Sequence, residues 1–143
     1  NGAMNVAQRS ASVTGIGAAD GYFTCDRWGV YQGSTAGRLT MTQTADGPSG
    51  FANCMKLDCT TADTSIAAGE FLTFNADTSQ GFDDDNAISL TMLLWLHAGS
   101  NFTGGTFVSN TWADTVTNKR VGDSVTSFFD STDRTFFITG VQM

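Results

Sequence analysis

The chain is poor in the residues that build helix surfaces and basic surfaces. Its 143 residues include one glutamate (Glu70), one histidine (His97), one proline and two lysines. Glutamate and lysine are strong helix formers that usually cover helix surfaces, so their scarcity argues against a helical protein. Seven basic residues face 14 acidic ones, which gives a net charge of −7. This balance argues against general binding of nucleic acid, which needs clustered Lys and Arg.

Long apolar segments are also missing. The longest unbroken apolar run covers residues 92–96, whereas a helix needs about 20 such residues to cross a bilayer. We therefore expect no membrane insertion, and no basic and apolar leader opens the chain. With 41% hydrophobic and 15% charged residues the chain is too apolar for a disordered tail. Its length suits a single domain spanning residues 1–143.

Three cysteines, an odd number in a chain of this length, do not make a disulfide framework. Cys54 and Cys59 are five residues apart, which places them on opposite faces of a strand and prevents them from pairing. A single histidine cannot complete a zinc site of the usual pattern. We expect Cys25, Cys54 and Cys59 to be reduced thiols, some of them buried, in a protein made in a cytosol.

The residues that are abundant favour strands and turns. Thr, Phe and Val are typical of strands, and Gly, Asp and Asn of turns. Apolar and polar residues alternate most clearly over residues 38–43, 53–60 and 89–98. Weaker candidate strands cover 21–31, 70–75, 106–109 and 135–142, and turn-rich stretches lie at 15–21, 45–50, 77–86 and 98–105. The pattern predicts an all-β, antiparallel β-sandwich of the jelly-roll type.

The strand predicted over 89–98 carries the clearest binding signal. Its even positions, from Leu90 to Ala98, form an apolar face for the core. Its odd positions are Ser89, Thr91, Leu93, Trp95 and His97. Aromatic rings stack on the apolar faces of sugars while polar groups bond the hydroxyls. We therefore predict Trp95 and His97, together with Trp112, as glycan-binding residues; the alternative is that another sheet, loop or subunit covers this face, which Leu93 also suits.

The acidic turn at residues 83–86 is the one candidate cation site in the sequence. Asp83 and Asp85 could bind a structural Ca²⁺, because a hard cation relieves repulsion between neighbouring carboxylates. The alternative is a solvated turn without an ion, and the pattern lacks the Gly and Glu of an EF-hand. No other cofactor is expected.

Catalytic motifs are missing. The nucleophile motif G-x-S-x-G does not occur, and no local pattern joins His97 to a cysteine. Most aspartates lie in polar loops, where a carboxyl does not acquire the raised pKa of a general acid. The sequence therefore predicts a protein that is not an enzyme.

Several motifs are spread over the whole chain. They include GYFTCDRW at 21–28, GRLTMTQ at 37–43, KLDCTTAD at 56–63 and GFDDDN at 81–86, with further stretches at 1–9, 98–102 and 137–142. Together they resemble a family of virion proteins of tailed bacteriophages, common in marine phages. In that resemblance, residues 1–9 correspond to the opening strand.

The resemblance implies a jelly roll like that of carbohydrate-binding modules, on a tail fibre or the capsid surface, with no catalysis. It implies localisation in the virion after assembly in the host cytoplasm. The expected partners are other virion proteins, further copies of the chain in a homo-oligomer such as a trimer, and a cell-surface glycan. The alternative function is a capsid-decoration or spacer domain without a ligand.

The chain departs from the family at its centre. Relatives have a further stretch of about two strands between the segments that match Asn75 and Ala76, which are adjacent here. Either this is a shortened natural variant or the chain is incomplete there, and the family also continues beyond Met143. Removal of central strands would expose two sheet edges.

Overall fold

The computed structural model describes residues 2–77, 91–103 and 126–141, and for Asp77 and Thr91 it describes the backbone alone. Within these residues the chain forms eight strands and two short 3-10 helices, at Ser100–Phe102 and Phe128–Asp130. The strands are β1 (Ser12–Ile16), β2 (Gly21–Tyr22), β3 (Trp28–Gly33), β4 (Arg38–Thr44), β5 (Cys54–Thr61), β6 (Phe71–Asp77), β7 (Thr91–Ala98) and β8 (Thr135–Ile138). The described part contains no helix that is long and apolar enough to span a membrane.

The strands form two antiparallel sheets of four. One has the order β1-β4-β5-β8, and the other β2-β3-β6-β7. The all-β prediction is therefore confirmed, and the two sheets form a sandwich-like arrangement around one core. That core takes Leu39, Met41 and Leu57 from the first sheet and Val30, Leu72 and Phe74 from the second.

Alternation in the sequence explains the packing of β4 and β5. Leu39 and Met41 of β4, like Met55 and Leu57 of β5, are fully buried, while the residues between them are partly exposed. Side chains alternate between the faces of a strand, so one face of each strand meets the core. In the opposite sheet, Trp28 stacks on Phe74 with the ring centroids 4.9 Å apart.

The beginning of the chain differs from the expectation. Residues 2–11 form no strand, and the first strand is β1, which lies in a stretch that the alternation did not mark. Met4 is nevertheless fully buried, and its carbonyl accepts a hydrogen bond from the Gln43 side chain. The segment before β1 therefore contributes to the core through Met4 and through Ala7, which packs against the cluster, rather than through a ladder of strand hydrogen bonds.

The prediction of unpaired cysteines, some of them buried, agrees with the structure, while synthesis in a cytosol stays a prediction. Cys25, Cys54 and Cys59 are free thiols, and all three are buried. Cys59 belongs to the core cluster with Met55 and Leu57, whereas Cys54 does not.

Candidate functional site

The outer face of the sheet β2-β3-β6-β7 carries an aromatic cluster. Tyr31, Thr73 and Trp95 lie side by side on β3, β6 and β7. Trp95 is half-buried and contacts Phe71 and Phe102, with ring centroids 5.9 Å and 5.3 Å away. The Phe71 ring lies over Gly33, where a Cβ atom would come within 2.5 Å of it. The missing side chain at Gly33 therefore leaves the space that this ring occupies.

A cleft of about 260 Å³ opens beside Trp95. It is lined by Trp95, Leu96, Thr126, Ser127, Phe128 and Arg134. Arg134 makes two hydrogen bonds of 2.6 Å to the carboxylate of Asp130, which hold the pKa of that carboxyl below its ordinary value. An indole, two hydroxyls and a guanidinium around one cleft are suited to the apolar face and the hydroxyls of a sugar.

The position of His97 corrects the prediction that it shares a face with Trp95. His97 is paired with Leu72, and Trp95 with Thr73, so Leu96 is an extra residue in β7 and forms a β-bulge. Beyond the bulge the alternation changes phase, and the His97 side chain points to the same side as the core residue Leu72. His97 is only 2% exposed, so its imidazole is not part of the exposed outer face on which Trp95 lies.

Beneath the cleft, His97 meets two carboxylates. One ligand atom each from Asp63, Glu70 and His97 lie within 4.8 Å of one another. His97 Nε2 is 3.7 Å from Glu70 Oε2, too far for a hydrogen bond. The other ring nitrogen, Nδ1, is 2.6 Å from the hydroxyl of Ser127. Ser127 therefore links the buried cluster to the cleft beside Trp95, because its hydroxyl contacts His97 and it lines the cleft.

Hydrogen bonds fix the two carboxylates. Asp63 accepts from the hydroxyl of Thr35 and from the backbone N–H groups of Ala36 and Ser65, at 3.0 to 3.2 Å. Glu70 accepts from the backbone N–H of Ala67 at 3.0 Å. In the part of the chain that the structure describes, no lysine or arginine pairs with either acid.

Burial and neighbouring polar or charged groups act in opposite directions on the pKa values of His97 and Asp63. Burial lowers the pKa of His97 below its ordinary value, although Asp63 and Glu70 act to raise it. For Asp63, burial acts to raise the pKa, but the bonds from Ser65, Ala36 and Thr35 outweigh it, so the pKa is lowered. At neutral pH the cluster therefore contains an ionised Asp63 beside an uncharged imidazole.

A second cleft, of about 300 Å³, lies beside β2. It is lined by Gln8, Arg9, Tyr22, Asp26 and Arg27. Arg9 lies 5.4 Å from the centre of the Tyr22 ring and 3.3 Å from a carboxylate oxygen of Asp26. Three of its five lining residues are charged, so this cleft offers a sugar ring less apolar wall than the Trp95 cleft does.

Three predicted residues cannot be placed. Trp112, Asp83 and Asp85 lie outside the described residues, as does the candidate strand at 106–109. The glycan and calcium roles assigned to them stay predictions.

Sequence reasoning missed Asp63, Glu70 and Arg134. Asp63 lies in the stretch Ala-Asp-Thr-Ser at 62–65, which has the composition of a polar turn, and its bond from the N–H of Ser65 is indeed a turn contact. Only its burial, 4% exposed, distinguishes it from an ordinary turn aspartate. The only glutamate and the only histidine of the chain meet there, and that scarcity is the one signal in the sequence that could have drawn attention to them.

Comparison with known proteins gives no relative: neither a family model, nor a curated protein, nor a solved structure matches the chain.

Proposed function

We propose that the chain is a glycan-binding jelly roll on the virion surface of a tailed bacteriophage, in a tail fibre or on the capsid. The observation that carries the binding function is the cleft beside Trp95, with Ser127 and Arg134 on its walls. The phage assignment depends on the motif resemblance given above. The proposed partners are other virion proteins and further copies of the chain.

The inner strand pairs favour the jelly-roll topology, and the outer strands depart from it. The antiparallel pair β4–β5 lies in one sheet, and the pair β3–β6, which encloses it in the sequence, lies in the other. Nested strand pairs that alternate between two sheets result when a long hairpin is rolled into a sandwich. Further out, β2 pairs with β3 and β7 with β6 within one sheet, so the described strands follow this pattern only at the centre.

Recognition in such a cleft would be weak for a single copy. The indole of Trp95 would stack on one sugar ring, while Ser127, Thr126 and Arg134 would bond hydroxyl groups around it. Several copies on one particle would raise the avidity, because each further contact forms within an already bound particle.

The proposed function does not include catalysis. A glycosidase needs a carboxylic acid with a raised pKa to protonate the leaving group. Asp130, bonded to the cleft residue Arg134, has a lowered pKa. It therefore stays ionised and is a poor proton donor.

A glycan array tests the binding function, with Trp95→Ala as the variant. Stacking on an indole contributes about 1 kcal/mol beyond the buried area, so we expect the variant to bind the wild-type glycan about tenfold more weakly or worse. Phe137→Ala is the matched control, because Phe137 is an aromatic residue 47% exposed on β8 of the other sheet. Equal binding by wild type and Trp95→Ala would remove Trp95 from the site, and absence of binding to any glycan would refute the function.

Exposed apolar residues favour a second function, that of a structural domain. Tyr31 is 44% exposed and Leu93 46% exposed, and both lie on the same face as Trp95. A neighbouring virion subunit could cover this face, and the chain would then be a decoration or spacer domain. A map of the assembled particle separates the two functions: burial of Tyr31, Leu93 and Trp95 between subunits supports the structural function, and an outward-facing cleft supports recognition.

A further inference from the structure

The cluster of Asp63, Glu70 and His97 has the composition of a metal site. The three residues come from separate segments: Asp63 follows β5, Glu70 precedes β6, and His97 lies near the end of β7. Their candidate ligand atoms lie within 4.8 Å of one another. Bonds to a zinc ion of about 2.0 to 2.1 Å would place tetrahedral ligands about 3.3 Å apart. The 3.7 Å between His97 Nε2 and Glu70 Oε2 is already close to that spacing.

His97 Nε2 makes no hydrogen bond of ordinary length and faces Glu70 Oε2 at 3.7 Å. The imidazole has no exposed surface, and its Nε2 atom is a buried polar atom without a hydrogen bond. Most buried polar atoms have a partner, because desolvation without one costs free energy. This atom faces the carboxylate of Glu70, so the imidazole points into the cluster.

The contacts of Nδ1 are those of a metal-bound histidine. Nδ1 lies 2.6 Å from Ser127 Oγ, and a bond donated from Nδ1–H to this oxygen leaves the lone pair of Nε2 directed at the two acids. Metal-ligating histidines usually have such a partner on the second ring nitrogen, which fixes the tautomer and the ring orientation. Ser127 is itself held by the N–H of Phe129, which bonds its Oγ at 2.9 Å.

The carboxylates of Asp63 and Glu70 have unused acceptor positions. A carboxylate offers about four acceptor positions. Asp63 uses three of them, on Thr35, Ala36 and Ser65, and Glu70 uses one, on Ala67. These bonds orient the carboxylates as outer-shell contacts do in known metal sites. Since no described lysine or arginine pairs with either acid, a cation would supply the missing positive charge.

We propose that Asp63, Glu70 and His97 bind one divalent transition-metal ion, and that Zn²⁺ is the ion the donor set fits best. An imidazole nitrogen suits Zn²⁺ and similar ions, whereas Ca²⁺ and Mg²⁺ prefer oxygen ligands throughout. This site is distinct from the predicted calcium turn at Asp83 and Asp85, and it does not depend on glycan binding.

Calorimetric titration of the chelator-treated chain with ZnCl₂, without any sugar, tests the proposal. We expect about one ion per chain, a melting temperature that rises with Zn²⁺ concentration, and much weaker binding of CaCl₂ and MgCl₂. Substitution with Co²⁺ gives a second readout, since the absorption spectrum of bound Co²⁺ reports nitrogen and oxygen ligation.

Two variants locate the ion. His97→Gln removes the imidazole, and Glu70→Gln retains the shape and the acceptor for Ala67 while it removes a charge; each should weaken Zn²⁺ binding by about 10- to 100-fold or more. Asp46→Asn is the matched control, because Asp46 is an exposed acid beyond β4 outside the cluster. If His97→Gln fails to fold, Glu70→Gln decides alone.

Two results would overturn the proposal. Absence of Zn²⁺ binding would leave the cluster as a histidine packed against two acids. Stoichiometric binding that is equally strong in Glu70→Gln would place the ion elsewhere in the chain. Neither result bears on the glycan array, so the two proposals fail separately.

Discussion

Cys25 shows how strongly the core acts on a single ionisable group. Its side chain has no exposed surface, and its Sγ–H points at the carbonyl of Met4, 3.7 Å away. Burial, followed by the nearby Asp26 and Cys54, raises the pKa of the thiol to about 11. A thiolate is thus strongly disfavoured at this position in the folded state.

This shift predicts a loss of stability at high pH. The unfolded thiol ionises near pH 9 and the folded one near pH 11. The contribution of Cys25 is therefore fully present below pH 9 and is lost as the pH rises through 11. By pH 11 the free energy of unfolding should have fallen by about 2 kcal/mol from this group alone.

Urea denaturation of wild type and Cys25→Ala at pH 8 and pH 11 measures the effect. The variant should be less stable at pH 8, because it loses buried volume, but its stability should fall less between the two pH values. An equal fall in the free energy of unfolding of the two proteins between pH 8 and pH 11 would contradict the assigned pKa.

Single residues also mark the limit of prediction from sequence. That the thiols are unpaired and some of them buried could be predicted, because the sequence offers them neither a disulfide framework nor a zinc motif. The meeting of Asp63, Glu70 and His97 does not, because their contact is set by the packing of three chain segments and not by any local spacing.

At the scale of elements, β7 shows which features a pattern can and cannot reveal. Alternation over 89–98 places Met92 and Leu94 towards the core, and both pack against it. The same alternation fails after Leu96, because a bulge is defined by pairing with β6 and leaves no mark in the sequence of β7 alone. β1 was missed for a related reason: most of its side chains are exposed, so it carries no apolar alternation.

Neighbouring leucines of β7 give a matched test of its two faces. Leu94 pairs with the buried Phe74 and packs on the core, whereas Leu93 is 46% exposed. We expect Leu94→Ala to lower the free energy of unfolding by about 2 kcal/mol or more, and Leu93→Ala by less than about 1 kcal/mol. Chemical denaturation measures both, and a larger loss for Leu93→Ala would reverse the assignment of the faces.

At the scale of the whole molecule, both sheets contribute to one cluster of buried side chains, and the three thiols lie in buried positions within this arrangement. None of them can react with a large reagent unless the fold opens. Thiol chemistry therefore reports on the cooperative stability of the described core and not on a local surface.

A thiol reagent such as DTNB should distinguish the folded from the unfolded chain. At pH 8 we expect the native protein to react at least about 1,000-fold more slowly than the protein in urea, because reaction waits for rare opening. Ser49→Cys is the control, since Ser49 is exposed in the turn after β4 and its thiol should react at once. Rapid reaction of the wild-type thiols would mean that the core opens locally near them.

The bulge at Leu96 has a thermodynamic consequence. It places the indole of Trp95 on the outer side of the sheet and the imidazole of His97 on the inner side, only two residues along the same strand. A ligand that holds the indole and an ion that holds the imidazole would therefore act on one short piece of backbone. By linkage, any factor by which the ion changes the affinity for the ligand equals the factor by which the ligand changes the affinity for the ion.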